Sequence, residues 1–316
     1  MKVIAIDSYS DTPSLRETAP PKELAPDQLL VRVRAAGMNP VDVAISRGFM
    51  QSMWPAKFPL TLGSDFAGLV ERVGPAVTAY RVGDAVYGKL TDKVLEQGSY
   101  GEYVVISEKG CVSRMPKNAS FAEAAGLPTA AMTALVCVDI ANITRDSRVL
   151  VNGATGGVGS YAVQLAADRG AHVIATARGD TAQYVQSRGA TTVIDYTREK
   201  LLEAVKKQFP DGIDALIDLV SDKAALEELC AIVRKGGVMV STIHAADENA
   251  LAARGLIGKN VMFQPSAELV ARVTTLVEEG KLTSADVQSY PLERAPDALE
   301  QLRSGHVHGK LVLATA

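Results

Sequence analysis

The sequence predicts an α/β protein of two domains, one a doubly wound parallel sheet of six strands and the other mainly β. The chain has 316 residues, the usual length of about two domains. Before Phe121, short strand-like runs are separated by Gly and Pro; after it, apolar runs alternate with helical patterns. The end of the chain mixes both patterns, so we expect it to return to the first domain. The predicted domains are residues 1–119 with 265–316, and residues 120–264.

The first domain is predicted to be a barrel or sandwich of short strands. In residues 29–37, LLVRVRAAG, apolar side chains alternate, which places Leu29, Val31, Val33 and Ala35 on one face. Comparable runs bounded by Gly follow at 66–74, 83–88 and 101–107. Many short strands with turn signals between them are typical of such folds.

The second domain is predicted from strand-like runs that are apolar nearly throughout. They are RVLVN (148–152), HVIATA (172–177), TTVIDY (191–196), DALIDLV (214–220), GVMVST (237–242) and KNVMFQ (259–264). Helical patterns separate them at 157–170, 181–189, 198–209, 222–235 and 248–257. Apolar strands separated by helices indicate a parallel sheet covered on both faces. Helices near 266–279 and 295–304 and strands at 286–292 and 310–315 complete the expected elements.

Composition excludes several classes of function. The net charge is −3 with no basic cluster, which argues against a nucleic-acid partner. No apolar run approaches the ~20 residues of a membrane span, and the N-terminus reaches Asp7 too early for a signal peptide. Cys111, Cys137 and Cys230 form no C-x-x-C pair, so we interpret them as buried apolar residues of a cytoplasmic protein.

The segment VNGATGGVGS (151–160) predicts a dinucleotide site. It fits G-x-G-x-x-G with Ala154 in the first position, follows a strand and opens a helix. Gly156 and Gly157 would let the backbone approach a pyrophosphate, while Gly159 would let the helix pack against the strand. A purely structural turn is the less favoured alternative.

The residue after the next strand indicates which dinucleotide is bound. An NAD site usually has Asp or Glu there to accept from the ribose 2′-hydroxyl, whereas this chain has Thr176-Ala177-Arg178. Arg178 can pair with a 2′-phosphate, so the sequence favours NADPH. The alternative is a solvated loop arginine.

Taken together, the chain resembles the medium-chain dehydrogenase/reductases, in the zinc-free quinone and enone reductase branch that includes zeta-crystallin. The resemblance covers essentially the whole length. NPVD (39–42) and residues 92–109 especially resemble the chloroplast alkenal/enone reductases. The motifs that carry it are AAGMNPVD (35–42), LGSDFAGLVERVG (62–74), YRVGDAVYG (80–88), GSYGEYVVI (98–106), AAGLPTAAMTAL (124–135), NGATGGVGS (152–160) and HGKLVL (308–313).

The resemblance implies a GroES-like catalytic domain, an NADPH-binding Rossmann domain, a cleft between them and a homodimer. It places Asn39 beside the nicotinamide ribose and Tyr87 toward the substrate, which makes these two the candidate catalytic residues. The other residues that it assigns to the cofactor are Thr133, Thr155, Gly156, Gly157, Val158, Arg178, Tyr196 and Lys310.

Departures from zinc-dependent relatives argue against a metal. Where those relatives have a metal-binding Cys, and a His followed by Glu, this chain has Asn39, Ser64 and Asp65. None of the three is a thiolate or an imidazole, so no catalytic zinc is expected. The two imidazoles of HVH (306–308) lack a nearby third ligand and are interpreted as part of a loop.

The leading hypothesis is an NADPH-dependent reductase of apolar quinones or α,β-unsaturated carbonyl compounds that acts by hydride transfer without metal. No residue is assigned as proton donor, since Val43 and Ala44 follow NPVD where the most similar enzymes often carry Lys or Tyr. Two alternatives stay open: an NADPH-binding structural or regulatory protein, and a zinc alcohol dehydrogenase. Tyr87 has an alternative role as well, as packing for the barrel wall.

Overall fold

The computed structural model describes residues 1–262, 264–305 and 307–315. Strands are numbered in chain order. The first eight are β1 (Lys2–Ile6), β2 (Ser14–Glu17), β3 (Gln28–Gly37), β4 (Leu60–Thr61), β5 (Asp65–Val73), β6 (Ala85–Lys89), β7 (Tyr103–Ser107) and β8 (Val112–Arg114). The remaining strands are β9 (Arg148–Asn152), β10 (His172–Ala177), β11 (Thr192–Asp195), β12 (Ile213–Asp218), β13 (Val233–Ser241), β14 (Ile257–Asn260), β15 (Val287–Pro291) and β16 (Lys310–Ala314).

The α-helices are numbered in the same way. They are α1 (Pro40–Ser46), α2 (Phe121–Ala125), α3 (Pro128–Ile140), α4 (Gly157–Asp168), α5 (Ala182–Ser187), α6 (Leu201–Gln208), α7 (Lys223–Leu229), α8 (Glu248–Ala253), α9 (Ala267–Glu278) and α10 (Ala295–Arg303). No helix in the part of the chain that the structure describes is both long and apolar enough to cross a membrane.

The chain folds as two compact units, residues 1–132 with 265–316 and residues 133–264. The sequence-based division assigned residues 120–132 to the second unit. In the structure α2 packs on β3 and β5, which keeps this segment with the first unit.

The first unit contains a three-stranded sheet, β2-β1-β4, and a seven-stranded sheet. The larger sheet has the order β15-β16-β3-β5-β6-β8, and β7 also pairs with β3. The face predicted for β3 is buried: Leu29, Val31 and Val33 lie in the core with Ile4 and Phe66. β15 and β16 come from the end of the chain, and they extend this sheet through the pairing of β16 with β3.

The second unit is built on a six-stranded sheet of order β11-β10-β9-β12-β13-β14. Every described pair in it is parallel. This is the doubly wound arrangement, in which the strand order reverses next to the first strand, β9. The fold-class prediction is confirmed.

Several predicted elements differ in extent, and two of them show the physical reason. The helix expected over 222–235 ends as α7 at Leu229, because β13 begins at Val233 and pairs with β12. The strand expected over 259–264 is β14, which lies earlier because its register follows β13 only to Ser241. Phe263 of that predicted strand lies outside the described residues.

Candidate functional site

The glycine-rich segment joins β9 to α4 at the carboxyl end of the parallel sheet. The N-cap of α4 is Gly156, and no side chain of the described residues caps the helix there. A Cβ built on Gly156 would meet only the carbonyl oxygen of Gly153, at 3.6 Å. Thr155 to Val158 are all half-buried. Because the first N–H groups of a helix lack intrahelical partners, this end of α4 suits an anionic group such as a diphosphate.

Gly159 has a different role from Gly156. A Cβ on Gly159 would lie 2.1 Å from the carbonyl oxygen of Gly153 and 2.7 Å from the Cα of Ala154. Both are backbone atoms, which a rotamer change cannot move. Only glycine therefore lets the first turn of α4 lie directly against the loop that precedes it.

A buried polar network at the ends of β9, β10 and β12 supports the loop. Nδ2 of Asn152 donates to Asp218 (2.7 Å) and to Ser221 (3.1 Å), and its Oδ1 accepts from the Thr176 hydroxyl (3.1 Å). The backbone N–H of Gly153 donates to the same hydroxyl oxygen at 2.9 Å. None of these residues was predicted as a site residue, although Asn152 and Asp218 are polar residues that end apolar strands.

Arg178 and Tyr196 follow the ends of two neighbouring strands, since Ala177 of β10 pairs with Asp195 of β11. Their side chains are exposed. Nε of Arg178 lies 3.7 Å from Oδ1 of Asp180. Together with the Thr155–Val158 segment, these residues lie at the carboxyl ends of three adjacent strands. Thr133, the remaining predicted residue of this unit, is buried on α3.

In the first unit, a cluster of polar side chains surrounds Asn39, and we call it the Asn39 cluster. Its members are Asn39, Asp42, Ser64, Asp65, Lys89, Tyr100, Thr129 and Lys310. Asn39 is the N-cap of α1, and its amide is held at both ends. Nδ2 donates to Oδ2 of Asp65 at 2.9 Å, and Oδ1 accepts from Nζ of Lys310 at 2.6 Å. Its backbone N–H donates to Oδ2 of Asp42 at 2.8 Å.

The carboxylate of Asp65 joins Asn39 to the rest of the cluster. It accepts from the backbone N–H of Thr129 at 3.0 Å and from the Thr129 hydroxyl at 2.6 Å. Nζ of Lys89 lies 3.7 Å from Oδ1 of Asp65, and it donates to Oγ of Ser64 (2.6 Å) and Oγ1 of Thr129 (2.9 Å). Two carboxyl groups and two ammonium groups thus share one largely buried region.

Burial dominates the electrostatics of this cluster. It raises the pKa of Asp42 to about 6, although the Lys89 charge and the hydrogen bond from Tyr100 act in the opposite direction. It also raises the pKa of Tyr100 well above its usual value, and the Asp42 charge adds to that effect. The pKa of Lys310 is lowered by burial, against the charges of Asp65 and Asp42.

The donor set of the Asn39 cluster does not fit zinc. Zinc sites in proteins use thiolate, imidazole and carboxylate ligands, and here Asp65 is the one carboxylate at the three matching positions. The Lys89 ammonium would repel a cation held between Ser64 and Asp65. Within the described residues, no group of three or more His, Cys, Asp and Glu side chains is arranged to hold a metal.

Tyr87 and Lys310 were predicted to contact the substrate and the cofactor, and in the structure both have partners within the protein. The hydroxyl of Tyr87 donates to the carbonyl oxygen of Val270 on α9 at 3.0 Å and lies 2.9 Å from the Thr274 hydroxyl. Tyr87 is fully buried, so it packs the barrel wall and we no longer assign it to substrate. Lys310 is also buried and donates to the Met38 carbonyl oxygen and to Asn39, which makes it a positioning residue for that amide.

The histidines of HVH do not add a ligand to this site. His306 lies outside the described residues. Nδ1 of His308 lies 3.9 Å from Oδ2 of Asp286. All three cysteines are buried and free, as expected.

Comparison with known proteins identifies the family. Residues 25–117 match the alcohol dehydrogenase GroES-like domain, and residues 188–313 match the zinc-binding dehydrogenase family. The chain is 32% identical over 301 residues to the chloroplastic NADPH-dependent alkenal/one oxidoreductase of Arabidopsis thaliana, covering 92% of this chain and 73% of that protein. The chain belongs to the medium-chain dehydrogenase/reductase family.

Solved structures of this family superpose over the whole chain. The quinone oxidoreductase of Coxiella burnetii has a TM-score of 0.88 at 29% identity, covering 100% of this chain and 99% of that one. The Escherichia coli quinone oxidoreductase, solved in complex with NADPH, has a TM-score of 0.87 at 25% identity and full coverage of both chains. This medium-chain dehydrogenase/reductase is therefore an oxidoreductase, with a GroES-like unit and a Rossmann unit that binds a nicotinamide cofactor.

Proposed function

We propose that this medium-chain dehydrogenase/reductase uses NADPH to reduce quinones or α,β-unsaturated carbonyl compounds. The observation that carries the proposal is the uncapped N-terminus of α4 behind its glycine loop, with the exposed Arg178 at the end of the neighbouring strand. The names of the relatives support the substrate classes: one is an alkenal/one oxidoreductase and others are quinone oxidoreductases.

The chain offers a group for each part of NADPH. The backbone of residues 155–158 would bind the diphosphate, since α4 presents free N–H groups there. Arg178 would pair with the 2′-phosphate, because its guanidinium is exposed and its one partner among the described residues is the exposed Asp180, 3.7 Å away. Tyr196 and Thr133 would contact the remaining nucleotide, as the family resemblance implies.

Asn39 is proposed to bind the nicotinamide ribose. One N–H of its amide donates to Asp65, and the other has no partner among the residues that the structure describes. Lys310 holds the amide oxygen, so the second N–H is fixed in direction. Asn39 would thus orient the cofactor without a change of charge, and Lys310 would act through Asn39.

The bound nicotinamide supplies a hydride. In an enone or alkenal, the β-carbon that receives it becomes saturated, and the negative charge moves to the carbonyl oxygen. A conjugated substrate needs only hydrogen-bond donors at that oxygen, whereas oxidation of a simple alcohol is helped by a Lewis acid. The absence of zinc ligand types at Asn39, Ser64 and Asp65 is therefore compatible with conjugate reduction.

A substrate panel tests the proposal. NADPH oxidation is followed at its near-ultraviolet absorbance with 2-alkenals, cyclic enones and ortho-quinones, and each reaction is repeated with NADH. Turnover of any of these classes, faster with NADPH, is the expected result. Tight NADPH binding without turnover of any compound would overturn the enzymatic assignment and favour a structural or regulatory role.

Assembly and compartment are proposals of the same kind. β14 lies at one end of the Rossmann sheet, and Ile257 on it is half exposed, which supports a homodimer joined through that edge. Sedimentation velocity would show a single species of twice the monomer mass. The free buried thiols support a reducing compartment such as the cytoplasm.

A further inference from the structure

We propose that Lys89 is a catalytic residue of this enzyme, a hydrogen-bond donor to the carbonyl or quinone oxygen of the substrate. The inference rests on the proposed function, because it assigns the donor that a metal-free reduction requires. The juxtaposition that carries it is an ammonium group held beside Asp65, the same carboxylate that binds Asn39.

The environment of Lys89 fixes its ammonium group without using all of it. Two N–H bonds point to Ser64 and Thr129, at 2.6 and 2.9 Å. The third has no hydrogen-bond partner within the described chain. The side chain is 14% exposed, whereas the Asp65 side chain is 0% exposed. This ammonium is held in place and nearly buried, and one of its N–H groups is not used. Such a cation can donate to an oxygen atom that develops negative charge.

Two other donors of this region, Tyr100 and Lys310, are already committed, and the second N–H of Asn39 is assigned to the cofactor. The hydroxyl of Tyr100 is buried and donates to Asp42 at 2.7 Å. The ammonium of Lys310 is buried and donates to Met38 and Asn39. Ser64 has a hydroxyl proton left, since its oxygen accepts from Lys89, but a neutral donor is about half as strong as a charged one. Lys89 is thus the charged donor that remains for a ligand.

The chemical role of Lys89 follows from the charge balance of the reduction. The substrate gains one hydride, which carries both electrons of the reduction, and its carbonyl oxygen becomes an enolate or hydroquinone oxygen. The N–H of Lys89 donates to that oxygen, so the new negative charge lies beside a positive one. Lys89 contributes a hydrogen bond, and water supplies the proton that completes the product.

Steady-state kinetics give the first test. Lys89→Met removes the ammonium and keeps the length of the side chain, and Lys89→Arg keeps the charge. We expect Lys89→Met to lower kcat for 2-cyclohexenone by about 100-fold or more, the usual effect of losing one such donor. Lys89→Arg should retain more activity than Lys89→Met. The control is Lys93→Met, an exposed lysine in the same segment, which should match wild type.

A binding experiment separates this proposal from the substrate assignment. 4-Nitrophenol mimics an enolate, and its neutral and ionised forms differ in absorbance. With NADP⁺ present, wild type and Lys93→Met should bind the ionised form and lower the apparent pKa of the bound dye, and Lys89→Met should abolish this. If wild type reduces no compound of the panel, the proposed function fails, and the dye still reports on Lys89.

Several results would overturn the assignment of Lys89. The first two are a kcat of Lys89→Met equal to that of wild type, and dye ionisation in that variant equal to that in wild type. The third is a loss of NADPH affinity in Lys89→Met, measured by nucleotide fluorescence, that is large enough to explain the lower rate. If Lys89→Met does not fold, Lys89→Gln is compared with Lys89→Arg. Equal kcat and equal dye ionisation in those two variants would then refute a role for the charge.

Discussion

Asp42 provides a test of how this enzyme tolerates its buried charges. The carboxyl is 1% exposed, and its Oδ2 accepts from Asn39 and Tyr100 at 2.8 and 2.7 Å. Its Oδ1 has no partner among the described residues. Burial raises the pKa from the ordinary 3.8 to about 6. Asp42→Asn keeps the shape and the accepting oxygen but cannot ionise.

The sign and size of the effect follow from linkage. Because the folded pKa lies above the unfolded one, the native state holds the proton more tightly between pH 3.8 and about 6. The contribution of Asp42 to stability is therefore fully present below pH 3.8 and is lost as pH rises through about 6. The difference between the two pKa values corresponds to about 3 kcal/mol. The free energy of unfolding of Asp42→Asn, relative to that of wild type, should therefore increase by about 3 kcal/mol between pH 4 and pH 7.

Urea denaturation measured across this pH range checks the prediction. Trp54 is the single tryptophan of the chain and lies in the same unit as Asp42, so its fluorescence follows the relevant unfolding. Asp84→Asn is the control, since the pKa of Asp84 is lowered and its contribution changes only as pH falls below about 3.8. The reasoning is refuted if the free energies of unfolding of wild type and Asp42→Asn differ by a constant amount from pH 4 to 7. It is also refuted if wild type becomes the more stable of the two as pH rises.

Three further predictions concern the cofactor site and the barrel. Arg178→Ala should weaken NADPH binding by about 1–3 kcal/mol and leave NADH nearly unchanged, because the phosphate contact is charge-assisted; equal losses in fluorescence titrations of both cofactors would count against it. Gly159→Ala should destabilise the fold by about 1–3 kcal/mol, since its Cβ would lie 2.1 Å from a backbone oxygen. Gly156→Ala, whose Cβ would make only an ordinary contact of 3.6 Å with the Gly153 oxygen, should change the urea midpoint little and mainly weaken NADPH binding. Tyr87→Phe should lower stability by about 1 kcal/mol through the lost bond to Val270 and leave kcat unchanged; a selective loss of kcat would restore Tyr87 to the substrate.

The Rossmann strands were predictable because each is a local signal. RVLVN lies between Ser147 and Gly153, HVIATA begins with a histidine and is followed by Arg178, and both become strands with the predicted bounds. The limits of β14 were not predictable, because they depend on where its neighbour β13 ends. An element whose length is set by a partner strand leaves no signal in its own residues.

The same distinction explains which site residues the sequence revealed. The glycine loop and Arg178 are local, since a strand, a turn and a helix follow one another along the chain. The Asn39 cluster is not local: Lys310 is 271 positions from Asn39, and the two meet only because β16 pairs with β3. Tyr87 shows the limit of the family resemblance, since its burial depends on how α9, far away along the chain, packs against it.

The charges of the Asn39 cluster explain why its amide has one orientation. With Oδ1 toward the Lys310 ammonium and Nδ2 toward the Asp65 carboxylate, both ends of the amide make charge-assisted hydrogen bonds. A flipped amide would place N–H groups against an ammonium and a carbonyl oxygen against a carboxylate, and both contacts are repulsive. Because the region is buried, water cannot screen that repulsion. The charged side chains of the cluster, costly to bury singly, thus hold a neutral amide in one orientation, which is the orientation that our proposal for the nicotinamide ribose uses.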